Sequence, residues 1–183
     1  MTNRFRPAAL ALLVAAWSLL ATAVAQNGDP VPADPVPADP VAANPVAIEL
    51  QVYVVSQVTR DDGTREERFT EATEARPGQV VEYRLVVRNV GGETLPAGIV
   101  VVTGPVPEGT EFVAFSATPS DEGLLTEFSA DRGTTFYETN VFVGQGDQRR
   151  IAEPDSYDAV RWTLLEEFEP DQELTLVYRV TVR

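Results

Sequence analysis

The chain of 183 residues carries 28 acidic and 14 basic residues, no His and no Cys, for a formal net charge of −14. Those absences exclude a disulfide framework, a Ser-His-Asp or Cys-His catalytic unit and an ordinary zinc site. The acidic balance excludes nucleic acid and anionic lipid surfaces as partners, because their charge has the same sign.

The first segment reads as a secretory leader over residues 1–25. Arg4 and Arg6 form a basic start, Ala8 to Leu20 is apolar, and Ala23-Val24-Ala25 offers the small residues of a cleavage site, predicting a cut before Gln26. The apolar run is shorter than the roughly 20 residues a spanning helix needs. No membrane span is therefore expected after cleavage, and the destination is the periplasm, the cell surface or the medium; a retained leader would instead act as an anchor. Loss of Arg4 and Arg6 takes the net charge to about −16. Without Cys after the cut, a lipoprotein modification is excluded.

Residues 26–47 repeat a five-residue unit, seen in Asp29-Pro30-Val31-Pro32-Ala33 and Asp34-Pro35-Val36-Pro37-Ala38. Proline fixes φ and drives its neighbour to extended geometry, so this stretch predicts a Pro-rich linker outside any folded domain, holding the domain at a distance.

The remainder, residues 48–183, is long enough for one domain with a full core. Ile48, Leu50, Val52 and Val54 alternate with polar residues, predicting a first strand of about 11 residues. Asp61-Asp62-Gly63-Thr64 predicts a hairpin turn, and the charged run Arg65 to Glu71 an exposed edge strand. After Pro77-Gly78, Val81, Tyr83, Leu85 and Val87 share one face and Glu82, Arg84 and Arg88 the other. Asn89 before Val90-Gly91-Gly92 predicts an Asx-bonded turn with glycine at positive φ. The run Ile99 to Thr103 is apolar on both faces, as in a strand covered on both sides. Pro107-Glu108-Gly109 turns the chain into Phe112, Ala114 and Ser116; Val160, Trp162 and Leu164, then Leu174, Leu176, Tyr178, Val180 and Val182, form the closing strands. The fold class is all-β: an Ig-like antiparallel β-sandwich of about 7–9 strands.

Four features bear on chemistry. Ser129-Ala130-Asp131-Arg132-Gly133-Thr134-Thr135-Phe136 is similar to the Asp box of sialidases and related propellers. In that turn Asp131 accepts backbone N–H groups, Gly133 allows positive φ and Phe136 packs beneath, which is a structural role. Adjacent acids such as Glu66-Glu67 and Glu166-Glu167 point to opposite sides of a strand, which argues against shared acid-base work. Asp61 and Asp62 with Glu66, and Asp155 and Asp158 with Asp147 and Glu153, are calcium candidates, although no EF-hand loop spacing is present. The irregular stretch Tyr137 to Asp158 holds Phe142 and the adjacent pair Arg149-Arg150, an aromatic-plus-arginine set suited to anchoring a partner.

Pro77-Gly78, Tyr83, Asn89, Gly91, Pro107-Glu108-Gly109, Phe112, Trp162 and the Pro170 turn together resemble the conserved-repeat Ig-like domain family of bacterial envelope proteins, domain of unknown function eleven. The resemblance covers residues 48–183 and implies a fold more than an activity. Where that family typically carries an acid in a D-x-L-P stretch, this chain has Gly104-Pro105-Val106-Pro107. The expectation is an exported, non-catalytic module that acts structurally or by protein–protein interaction in the envelope or outside the cell, with Tyr83, Asn89, Asp131, Gly133 and Trp162 as structural residues. The alternative from another class is a module binding calcium or a saccharide.

Overall fold

The computed structural model describes residues Asn44–Arg183; the predicted leader and the linker through residue 43 lie outside the described residues. The alternating patterns build two antiparallel sheets. The first contains β1 (Val46–Thr59), β2 (Arg65–Glu71), β3 (Val80–Asn89), β5 (Thr110–Phe112) and β10 (Glu173–Val182), in the order β2-β1-β3-β10-β5. The second contains β4 (Val101–Pro105), β6 (Leu124–Ser129) and β9 (Ala159–Leu164), in the order β4-β9-β6. A minimal hairpin of β7 (Phe142–Val143) and β8 (Arg150–Ile151) brings the count to ten strands, where the sequence pattern predicts 7–9.

The architecture is an all-β sandwich with its core between the two sheets. From the five-stranded sheet come Val81, Tyr83, Leu85, Val87, Phe112, Leu176, Tyr178 and Val180; from the other come Val102, Leu124, Val160, Trp162 and Leu164. The strand order differs from the immunoglobulin layout of A-B-E-D over C-F-G, since the last strand, β10, sits inside the five-stranded sheet between β3 and β5. Trp162 is fully buried, and its indole N–H donates to the Thr118 carbonyl at 3.1 Å. Tyr83 and Tyr178 stack with ring centroids 5.0 Å apart, and the Tyr178 hydroxyl donates to the Pro105 carbonyl at 2.6 Å. Burial pushes both phenols up.

That stack explains Gly104. A Cβ there would stand 2.7 Å from the Tyr178 ring, closer than atoms can approach, so glycine is the residue that admits the ring.

Several expectations are corrected. The first strand begins at Val46, and Pro45 accepts a hydrogen bond from the Val90 N–H. Ile48 and Leu50 face inward yet stay exposed. The stretch through Ile99 is not covered on both sides: β4 is an edge strand, with Ile99 63% and Val101 50% exposed, because among the described residues nothing packs on the outer face beside it. Asn89 is fully buried and accepts from the Gly91 N–H at 3.0 Å, but Gly91 does not take positive φ; its missing Cβ makes room for Pro45 instead.

Candidate functional site

The calcium candidates do not converge. Among the described residues no group of three or more acidic side chains is placed to hold a metal ion. Asp61 and Asp62 lie in the β1–β2 turn, where Asp62 accepts from the N–H and hydroxyl of Thr64 at 2.9 and 2.6 Å. Those bonds hold its carboxyl below the usual range. Asp155 lies in a 3-10 turn over Pro154–Ser156. Asp158 accepts the Arg132 N–H through Oδ2, and its Oδ1 is buried without a partner among the described residues.

Asp131 organises the turn that follows β6. Its Oδ1 accepts the N–H groups of Thr135 at 2.8 Å and Thr134 at 3.1 Å and the Ser129 hydroxyl at 3.0 Å. The Thr135 N–H bond is the main reason its carboxyl sits below the ordinary range. Gly133 has φ 71° and donates to Ser129 Oγ. Phe136 is covered by the Arg161 guanidinium, 4.0 Å from its ring, and Arg161 forks onto Glu127 at 2.7 and 3.0 Å. The bonds of Ser129, Asp131 Oδ1 and the Gly133, Thr134 and Thr135 N–H groups are thus made within the turn itself.

In the Tyr137–Asp158 stretch, Phe142 is half-buried. Its ring meets Tyr137 edge-on at 5.6 Å, and Arg149 lies 4.1 Å from its centroid. Two of the three residues expected to anchor a partner therefore occupy each other, while Arg150 in β8 remains exposed.

The outer face of the five-stranded sheet holds an ionic cluster around a buried Glu82 that alternation alone does not announce. Glu82, only 3% exposed, accepts from Arg84 at 2.6 Å and from Arg179 at 2.7 Å. Arg179 reaches on to Glu67 of β2 with two bonds, at 2.7 and 2.8 Å, which lower the Glu67 carboxyl's pKa. The Arg84 guanidinium lies 4.6 Å from the Tyr53 ring and 4.7 Å from the Phe69 ring. Cation–π contact and ion pairing together fold the charged hairpin β1–β2 onto the sheet.

The residue most available for binding is one the sequence pattern places inside a strand. β5 ends at Phe112, and the chain loops out at Ala114-Phe115 before rejoining β10. Ser116 closes the loop on the Val113 carbonyl at 2.6 Å, and its hydroxyl also accepts the Arg179 N–H at 2.9 Å. Phe115 has φ 60° and is 103% exposed. A large apolar ring is thus held in water on a backbone conformation that costs a non-glycine residue about 1 kcal/mol. The only local signal was the serine and threonine spacing of Ser116 and Thr118, whose hydroxyls pair with β10 where amides otherwise would.

Comparison of the chain with family models, with curated proteins and with solved structures returns no match.

Proposed function

We propose that the protein is an exported, non-catalytic binding module whose sandwich presents apolar anchors to another protein in the envelope or outside the cell. The observation that carries this reading is Phe115, wholly exposed on a turn that is both strained and pinned by side-chain bonds to β10. Strain of this kind collects where a position is used, and a pre-ordered aromatic loses little entropy on contact. The leader-like first 25 residues, the Pro-rich spacing and the resemblance to envelope repeat domains support the location; the absence of His and Cys supports a role without catalysis. The calcium alternative loses support because no three of its candidate acids come together among the described residues, and Asp62 and Asp158 already accept hydrogen bonds from within the chain.

The test is a photo-crosslinking benzoylphenylalanine at position 115 in cells that make the protein. A discrete covalent adduct, absent with the same group at exposed Val90, is expected. Equal adducts from both positions, or none from position 115, overturn the reading. An N-terminus beginning at Gln26 on the exported protein checks the leader.

A further inference from the structure

A second surface indicates what kind of partner the module takes. Below Thr118, β10 loses its neighbour. Val177 and Arg179 bond with Thr118 and with Val113 and Ser116 on that side, through Val177 N–H to Thr118 Oγ1 at 2.8 Å and Val113 N–H to the Arg179 carbonyl at 2.9 Å. Pro119 then carries the chain away, and on the side opposite β3 no strand among the described residues continues along Glu173–Leu176. In an antiparallel strand alternate residues point their N–H and C=O to the same side, so those of exposed Thr175 point into this vacated position.

Beside this open edge the two sheets part to form a cleft of about 490 Å³. Its floor is apolar, built by Leu124, Leu164, Phe168 and Leu174. Its rim carries Asp121, Glu122, Glu166, Glu167 and Glu173, and among the described residues none of the five has a salt-bridge partner. By contrast, the acids of the outer face, Glu67 and Glu82, are both matched by arginine.

We infer that the open edge of β10 and its cleft receive an extended, lysine- or arginine-bearing segment of another protein, added as a strand antiparallel to β10. The backbone of the incoming strand would pair with Thr175, every second side chain would lay its methylenes on the leucine floor, and the cationic heads would meet the rim. Charge complementarity selects the occupant: an acidic or neutral strand brings no counter-charge to five unpaired carboxylates, and a second copy of this chain adds to the repulsion. The inference rests on the binding-module reading above and specifies its partner.

The test uses the folded protein and labelled synthetic peptides in which Val alternates with Lys, or with Glu as control. The Lys peptide is expected to bind, to weaken as salt rises, and to weaken about fivefold in the Asp121→Asn/Glu173→Gln double variant, the worth of two exposed ion pairs. Hydrogen exchange of the Thr175 amide is expected to be fast in the free protein and slowed by the peptide, a readout independent of any variant's folding. Binding of the Glu peptide to equal extent, undiminished binding to the double variant, or an unprotected Thr175 amide overturns the inference. So does spermidine binding as tightly as the peptide, which would make the cleft an amine site, or self-association with Thr175 protected, which would make the occupant a second copy. Failure of the peptide with a persisting crosslink at position 115 sinks this inference alone, and loss of both sinks the function proposed above.

Discussion

The outer face around Glu82 and the cleft beside β10 are built from the same residue types and use them in opposite ways. On the outer face two carboxylates are met by two guanidiniums, with Tyr53 and Phe69 against the arginines, and Glu82 is buried. In the cleft five carboxylates stand at the rim of an apolar floor, and none is salt-bridged among the described residues. Desolvating a charge is costly unless it is paired, so the first arrangement can be sealed and the second must stay open to water. A chain with twice as many acids as bases cannot match them all. Where it places its arginines separates the surface that can be sealed from the surface that stays open to water.

That comparison can be broken most sharply at Glu82. Glu82→Ala leaves Arg84 without its carboxylate and Arg179 with Glu67 alone, and a loss of about 2 kcal/mol is expected in urea unfolding; a midpoint unmoved would mean that the cluster around Glu82 is not structural. Asp131→Ala removes an acceptor whose partners are backbone N–H groups, and because the site is exposed the expected cost is about 1 kcal/mol, read as a lowered melting temperature. Acid gives a smaller and graded effect. The carboxyls of Glu67 and Asp131 titrate lower when folded than when unfolded, so their contribution is present above the unfolded carboxylate range of about 4 and drains away as pH falls through their folded values. Stability that rises on acidification from pH 5 to 3 would contradict this. At the rim, neutralising Glu166, Glu167 and Glu173 together to Gln is expected to change stability by less than about 0.5 kcal/mol, with any change a gain at low salt; a large loss would show that these acids are paired after all.

Much of the fold was legible because alternation reports a sheet with one wet and one dry face. Val81, Tyr83, Leu85 and Val87 lie inside as the pattern requires, and Trp162 is at the centre. Alternation says nothing of what lies across from a strand. Ile48 and Leu50 follow the inward pattern and remain exposed, since the smaller sheet does not reach over that part of β1. The apolar run before Thr103 imitates a central strand for the same reason: composition reports what a residue tolerates, while coverage depends on the other sheet's width. Phe115 was hidden because Ser116 and Thr118 continue the pairing through hydroxyls, a substitution of side chain for backbone that periodicity does not register. The cleft was out of reach of local reading, as its floor and rim come from segments spread between Thr118 and Leu174. Phe142, Arg149 and Arg150 had the right chemistry for a partner, yet spacing could not show that Arg149 already covers Phe142.

The order β1-β3-β10 has a mechanical consequence. β1 pairs Val46 with Asn89 at one end of the sheet, while β10 pairs Thr181 with Val80 at the other, so β1 and β10 run in the same direction on either side of β3. Tension applied between Asn44 and Arg183 pulls along the strands. The ladder bonds lie across that direction, so both ladders would be loaded in shear, many bonds at once, instead of being unzipped one at a time. A domain tugged through these two points would yield late and abruptly.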